Sequence, residues 1–584
     1  MPGWVRATLR FRRVVPPLGS SIRGGLCVGV PVAVGFAVGE PVIGVTLGLA
    51  CVLRTIGERE GPHRGNVTSL LIATPIAAAG YLFGLVQDLA LVPLVALMAA
   101  VAFVAGTLAR HGEGFALGGM QFLLVASIAL GVPDTGTAAE LGWFFLGAGI
   151  YAVCMAVDFL LLEPLRPERI ALADLDRAVQ MFEASPGPVE RAAANSALAA
   201  ARRVPTPGWA TTTAGIARWG RYADVVTAAD DLVAWEAARR DPDDARRRAY
   251  RDARAALLDG PPSDRAPVPV TPVTPVASVT SVAGPSWRER LALDPPTRAH
   301  AARLALCFGL AVSSRAWVGL DHWFWVPATV GLVMQPDFGS VFGRAVLRVA
   351  GTLVGSAFAA LVIWAVPSGI GLGIVIGMLA ATVPWAKQTS YVLQSLVLAA
   401  VVLLLVSQVA PAEGSLSLPL QRVLATAVGG VIVLVFGYLV WPAARRVSIA
   451  PTVRSATSSM AAMLRTATEP VPTDPEAQAA RKASAISARQ RALDLLVSTK
   501  VPLGRAAGEP PPTSTDAAAW TDAVRSLERL GGAVSDHAIA RLSGTPPLPG
   551  ADAIAAEIEA VAYEPDPDVV ETRASDLAAR ISGR

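Results

Sequence analysis

Long stretches without charge constrain the fold of this chain more than any other feature. Between residues 65 and 109 the single charged side chain is Asp88. A helix that crosses a bilayer needs about 20 mostly apolar residues, and its backbone polar groups must be satisfied within the segment. Charged residues make up only 16% of the whole chain, whereas an average soluble domain carries about 25%. The sequence therefore predicts an all-α, polytopic membrane protein with charged soluble regions between its apolar segments.

The apolar segments form two groups of six candidate spans: 22–39, 41–56, 67–87, 89–109, 115–132 and 141–162, then 301–319, 322–336, 345–366, 369–386, 390–410 and 420–441. Charged, Ala-rich segments with helical periodicity follow each group. The predicted organisation is a cytosolic N-terminus (1–21), a first transmembrane block (22–165), a helical cytosolic domain (166–259), a Pro-rich linker (260–298), a second transmembrane block (299–442) and a C-terminal helical cytosolic domain (443–584). The repeated unit predicts two blocks that pack like a dimer fused into one chain.

Basic residues near the spans predict the orientation, because cytoplasmic loops carry the excess of Lys and Arg. With the N-terminus inside, the outer turns at 39–41, 87–88 and 133–140 contain no Lys or Arg, and two basic residues, Arg315 and Arg422, fall toward the outside. Twelve spans with both termini in the cytoplasm fit this pattern, in a plasma-membrane protein whose first helix is retained and not cleaved as a signal peptide. The inner positions of the two blocks carry Arg54, Arg59, Arg64, Arg110, Arg166, Arg169, Arg344, Arg348, Lys387, Arg445 and Arg446.

The sequence gives no support for an enzyme or for a bound cofactor. Its five histidines are scattered, so neither a zinc site nor a Ser-His-Asp set is indicated. The four cysteines lie in apolar segments without CxxC spacing, and no Walker-type phosphate loop occurs. Motifs that bind nucleic acid are also absent from the sequence, and topology already explains the basic residues.

Arginines at membrane depth are the best candidates for function, because charge in hydrocarbon is costly and usually faces a cavity. Arg344, Arg348 and Thr352 share one face of a predicted helix, and Arg422 and Thr426 form a similar face. The spacing Arg-x3-Thr-x2-Gly begins at both 348 and 422, as an inverted repeat within the block would give, although a chance match of three residues is the alternative. These faces could line an anion path. Alternatively, the arginines anchor span ends at lipid headgroups.

Five further residues complete the set of candidates for the transport path. Asp158 interrupts the sixth span and is a proton-coupling carboxylate, the partner of an Arg, or an acid at the inner surface. Asp337, in the turn with Gln335, is most simply a loop acid near Arg344. Trp323 falls, with Trp325, where an aromatic belt is expected. Arg64 takes the place in the first block that Arg344 has in the second.

Residues 321–362 resemble the fusaric acid resistance-like family of integral membrane transporters, the aromatic acid exporter group. The resemblance rests on a Trp-rich start, a Gln-Pro-Asp turn and an Arg-bearing helix with Gly-Thr-x2-Gly, here Trp323, Gln335, Pro336, Asp337, Arg344, Arg348, Gly351, Thr352 and Gly355. It extends over 300–442, including the last span with Arg422 and Thr426, and is looser over 20–166. The resemblance implies proton-driven export of aromatic or other organic acids.

Two functional hypotheses follow from the sequence. The first is a secondary transporter of the plasma membrane that exports small organic acids or acts as an anion permease. The second is a membrane scaffold that does not transport and recruits partners through its large cytosolic domains. The expected partners are the lipid bilayer and a small organic anion, and a homodimer or an accessory protein is left open.

Overall fold

A computed structural model describes thirteen stretches of the chain and three isolated residues. The isolated residues are Phe11, Val14 and Val204, and the stretches are 16–58, 63–132, 138–162, 166–184, 188–202, 213–239, 244–259, 295–334, 341–409, 417–441, 449–470, 474–542 and 545–582. The predicted linker at 260–298 lies almost entirely outside these stretches. All regular structure within them is helical, which confirms the predicted all-α class for the described residues.

The first apolar half of the chain forms six helices: α1 (Leu18–Ala37), α2 (Pro41–Gly57), α3 (His63–Ala78, continued by a 3-10 helix at Ala79–Val86), α4 (Leu91–Leu108), α5 (Glu113–Gly131) and α6 (Ala138–Leu162). Four helices of the following charged region are α7 (Arg166–Ala184), α8 (Pro188–Arg202), α9 (Thr213–Arg239) and α10 (Asp244–Asp259). The tight turns between α1 and α2 and between α4 and α5 contain Gly39 and Gly112, whose positive φ angles favour glycine.

The second apolar half again forms six helices: α11 (Pro295–Ser313), α12 (Trp325–Val333), α13 (Val341–Ala365), α14 (Ile370–Thr389), α15 (Tyr391–Val409) and α16 (Ser417–Ile432, continued by a π-helix at Val433–Leu439). The C-terminal region follows with α17 (Ala450–Thr468), α18 (Pro475–Ala507), α19 (Thr513–Leu542), α20 (Ala551–Val561) and α21 (Pro567–Ile581).

Nine helical segments within the described residues are long and apolar enough to cross a membrane: Leu18–Ala37, Asn66–Val86, Leu91–His111, Glu113–Gly131, Ala139–Asp158, Val341–Ala365, Ile370–Thr389, Tyr391–Val409 and Leu418–Leu439. This confirms a multi-pass membrane protein. Helix α2 is shorter, and α11, which contains Arg298, His300 and Arg303, does not meet the same criterion.

The predicted full span at 322–336 is wrong, because α12 has only nine residues. A helix of that length rises about 14 Å, less than half of the hydrocarbon thickness. Turns at 317–324 precede it, with Gly319 at a φ of 64°, and Pro327 lacks the N–H that a longer helix would use. Helix α12 is therefore a buried half-length helix and not one continuous spanning helix.

The two apolar halves belong to one compact unit, which comprises 1–164, 285–446 and 505–511. The first helix of each half packs on the fourth helix of the other half: α1 packs on α14, and α11 packs on α4. A Cβ built at Gly29 would lie 2.7 Å from the Cα of Gly377, and one built at Gly106 would lie 2.8 Å from the Cα of Ala301. These small residues let the helices approach closely, as is common in membranes.

The third and fifth helices of each half pack side by side in the same direction. On α5, glycines 114 and 118 face Ser69 and Ala73 of α3, so a step of four residues on one helix matches a step of four on the other. Gly351 and Gly355 of α13 face Ser395 and Ala399 of α15 with the same step. The packing of one half is thus repeated in the other, with the glycines on α5 in the first half and on α13 in the second.

The charged helices form a second compact unit, which comprises 165–284, 447–504 and 512–584. Helices α7 to α10 enclose an apolar core in which Trp219 stacks on Tyr222 with 4.9 Å between ring centroids. Of the two Trp residues on α9, Trp219 is the one whose side chain the structure describes. Helices α17, α19, α20 and α21 pack against one another through buried apolar faces.

Candidate functional site

Three arginines are buried in the second apolar half of the membrane unit. Arg344 and Arg348 lie one helical turn apart on α13, and Arg422 lies near the start of α16. Their exposed fractions are 5%, 3% and 2%, so none extends into lipid or solvent as an exposed anchor at a span end would. Helices α13 and α16 pack together, and the charges of Arg348 and Arg422 are close enough to act on each other.

Arg422 lies over the face of Trp325, with 4.0 Å from its guanidinium carbon to the ring centroid. This cation–π contact joins α16 to the first residue of α12 and is favourable because the ring face is electron-rich. Trp325 is fully buried, and Trp323 is 8% exposed. The predicted aromatic belt is therefore wrong for both residues, because the turns before α12 direct their side chains into the protein interior.

Several hydrogen-bonding groups lie buried around these arginines without a hydrogen-bond partner among the described residues: Arg348 Nε, Arg422 Nη1, Trp325 Nε1 and the hydroxyls of Thr352, Ser356 and Ser395. Buried polar groups in folded proteins are nearly always paired, since an unpaired one costs about 1–3 kcal/mol. Thr426 differs from this set, because its hydroxyl donates to the Arg422 carbonyl at 2.8 Å. The cluster thus offers donors in excess of acceptors, which suits an anionic ligand.

Carboxylates are scarce around the cluster. Within 295–334, 341–409 and 417–441 the only acid is Asp321, which accepts a hydrogen bond from Gln421 Nε2 at 3.1 Å. Glu509, from the segment 505–511, accepts a hydrogen bond from the backbone N–H of Val341 at 2.9 Å, at the start of α13. Within the part of the chain that the structure describes, neither Arg348 nor Arg422 forms an ion pair.

The first apolar half holds its buried arginines differently. Arg23 of α1, 5% exposed, donates to Asp158 of α6 and to Glu58, which follows the last residue of α2. The Tyr151 hydroxyl also donates to Glu58. Asp158 is therefore the partner of an arginine, which was one of its three predicted roles.

A second arginine of the first half, Arg54, is 3% exposed and donates to two neutral groups. Its Nη1 lies 2.9 Å from the Thr74 hydroxyl, and its Nη2 bonds to the Gln121 side-chain oxygen. Arg54 was predicted at an inner span end, and Arg23 was not among the predicted site residues, so both buried arginines were missed. Arg54 lies near the end of the short apolar helix α2, and its charge was the only feature of the sequence that could have indicated a buried arginine.

Three predicted residues have side chains outside the described part of the structure. Gln335 and Asp337 lie outside the described residues, and Arg64 lies on α3 but its side chain is not among those described. The structure brings Arg348, Thr352 and Arg422 into one buried region and places Asp158 in the other half of the unit. Together these features define the class: an all-helical, multi-pass membrane protein with a buried cationic cluster.

Residues 306–436 match the family described as fusaric acid resistance protein-like. The predicted resemblance is therefore confirmed for this segment, which includes Arg344, Arg348 and Arg422. The inner membrane protein YccS of Escherichia coli K12 is 42% identical over 71 residues, which cover 12% of this chain and 10% of that relative. No solved structure shows a significant match.

Proposed function

We propose that the protein is a secondary transporter that moves small organic anions, aromatic acids among them, through the second half of its membrane unit. The observation that carries this proposal is a pair of buried arginines, Arg348 and Arg422, that form no ion pair with any residue the structure describes. A guanidinium stays charged in proteins, and a buried charge is expensive unless it is paired. A carboxylate that enters the cluster supplies the missing counter-charge, and the hydroxyls and the Trp325 N–H are further donors.

The helix packing supports two blocks of six helices that face the same direction, related by an approximate two-fold axis. Each first helix packs on the fourth helix of the other block, antiparallel in both cases, and each third helix runs parallel to its own fifth helix. Transporters built from repeats commonly alternate access by moving one bundle against the other around a central site. The close glycine contacts between the blocks are the surfaces at which such a movement would occur.

Contacts at the span ends support the predicted grouping of these ends on two sides of the membrane, and the proposed cytoplasmic location of both termini rests on the basic residues of one side. Lys387 Nζ donates to the carbonyl oxygens of Ile56 and Glu58 at 2.6 and 2.7 Å, and the sequence assigns all three residues to the inner side. Arg315 donates to the Gln87 carbonyl at 2.8 Å, and both were assigned to the outer side. Arg315 is thus an outer arginine with a partner on its own side.

Reconstituted protein tests the proposal. Liposomes with the purified chain should take up a labelled aromatic carboxylate under an imposed pH gradient, and Arg348→Gln or Arg422→Gln should reduce the rate more than about tenfold, since each removes a charge-assisted contact of about 1.5–3 kcal/mol. The matched control is Arg298→Gln, an exposed arginine at the start of α11. Normal transport by both cluster variants would remove the proposed anion site.

A membrane scaffold remains the second candidate, because the charged helices form a compact unit with its own apolar cores. A transporter does not need such a unit for substrate passage. If the wild-type chain moves no organic anion in liposomes, yet a cell lacking it loses an envelope protein assembly, the scaffold is favoured. Retained anion transport after deletion of 455–584 would instead give the C-terminal helices an accessory role.

A further inference from the structure

Two carboxylates and one guanidinium form a tight cluster in the first block. Arg23 donates a hydrogen bond from one Nη atom to Asp158 and from the other Nη atom to Glu58. The side chain of Arg23 is 4% exposed, and those of Glu58 and Asp158 are 15% and 16% exposed. Because two negative charges face one positive charge, one carboxylate can bind a proton and still leave Arg23 with an ionised partner.

A small, partly open pocket adjoins this cluster. Its volume is about 20 Å³, enough for a water molecule, and it is lined by Glu58 and Tyr151, together with Arg54, Gly57, Asn66, Ser69, Leu70, Leu117 and Met155. Asp158 does not line it. Glu58 is therefore the carboxylate of the cluster that lines the pocket, and it also pairs with Arg23.

We propose that Glu58, with Arg23 and Asp158, is the proton-binding site that couples anion movement to a proton gradient. This proposal rests on the function proposed above. The proton arrives from water in the pocket, binds a carboxylate oxygen of Glu58, and leaves by the same oxygen after the helices have moved. In the neutral form, Glu58 no longer pairs with the guanidinium, and Arg23 keeps the Asp158 carboxylate alone.

The charged and titratable groups around Glu58 come from four helices. Arg23 comes from α1, Tyr151 and Asp158 come from α6, Arg54 comes from α2 and Lys387 comes from α14. Three of these five groups are cations, and the Tyr151 hydroxyl donates to the carboxylate. Proton binding removes the charge that pairs with Arg23, so it breaks a contact that holds the helices together and is tied to a structural change.

The cluster is physically connected to the second block by helix α14. Two turns beyond Arg23, Gly29 of α1 packs against the backbone of Gly377 on α14. At the end of α14, Lys387 holds the backbone carbonyl of Glu58 itself. Loss of the Arg23–Glu58 pair therefore loosens α1 from α2, and α14 contacts both helices. Helix α14 also packs on α15, and α15 packs on α13, the helix that carries Arg344 and Arg348.

Reconstituted full-length chain distinguishes coupling from substrate binding. Two rates are measured with a labelled aromatic carboxylate: accumulation driven by a pH gradient, and exchange of internal for external substrate without a gradient. Glu58→Gln should lower accumulation about tenfold, a typical size for coupling between two sites, while exchange stays near the wild-type rate. The matched control is Glu40→Gln, which should change neither rate. Glu40 is an exposed acid immediately before α2, and Glu58 comes immediately after the same helix.

The conservative variant Glu58→Asp keeps the charge and should retain most of the accumulation, which a purely structural role for the longer side chain would not predict. Unchanged accumulation by Glu58→Gln would overturn the proposal, as would an equal loss of accumulation and exchange in both Glu58 variants. A wild-type chain that moves no carboxylate in either measurement would instead overturn the proposed function. Wild-type exchange without any effect of pH would overturn the coupling alone.

Discussion

Buried arginines in the two blocks are neutralised to very different extents. In the first block Arg23 contacts two carboxylates, whereas in the second block Arg348 and Arg422 have no ion pair among the described residues. A buried charge with its own counter-ions ties helices together, and a buried charge without them stays available for a ligand of opposite sign. This difference underlies the two proposals, a proton-binding cluster in the first block and an anion site in the second.

The largest expected effect is that of Arg23→Met. The substitution leaves Glu58 and Asp158 close together without their shared cation, and breaking a buried pair in this way costs about 3–5 kcal/mol. The variant should lose stability strongly, measured as a lower melting temperature of the purified protein in detergent. Arg298→Gln, at an exposed arginine, is the control and should melt like the wild type. A melting temperature unchanged by Arg23→Met would show that the three charges do not form a stabilising cluster.

The two sets of contacts between the blocks, α1 on α14 and α4 on α11, should contribute equally to the stability of the protein. Gly29→Ala and Gly106→Ala each place a methyl group less than 3 Å from a partner backbone atom, and overpacking of this kind costs about 1–3 kcal/mol. Both variants should therefore lower the melting temperature by similar amounts. Gly149→Ala is the matched control, because a Cβ there meets open space. A large effect at one site and none at the other would argue against the two-fold arrangement.

Substitution of Arg422 should change stability in the opposite direction and make the protein more stable. Arg422→Met removes a buried charge that has no ion pair within the described stretches, and an apolar side chain of similar length should stabilise the protein by about 1–2 kcal/mol. The loss of the contact with Trp325 offsets part of this gain. The same variant should lose anion transport, so that stability rises as activity falls. A destabilised Arg422→Met would indicate that the arginine has a structural role.

The sequence predicted the membrane class well because apolar length is a local property. It located Arg348 and Arg422 for the same reason, since a charge within an apolar helix is visible without any tertiary contact. It could not show that Asp158 meets Arg23, because these residues lie 135 positions apart and only the packing of α1 on α6 joins them. Nor could it separate a Trp in a belt from the buried Trp325, because that difference depends on the turns that precede α12.

The smallest expected effect is that of Trp325→Phe. Phenylalanine keeps an aromatic face for Arg422 but removes the indole N–H, one of the donors that has no described partner. Loss of one neutral hydrogen bond to the substrate is worth about 0.5–1.5 kcal/mol, so the KM for an aromatic carboxylate should rise about two- to tenfold with little change in melting temperature. Trp364→Phe is the control, since Trp364 of α13 is 81% exposed. If Trp325→Phe leaves the KM unchanged while Arg422→Gln abolishes transport, the anion contacts the guanidinium and not the indole, which would place it on the side of Arg422 that faces α13.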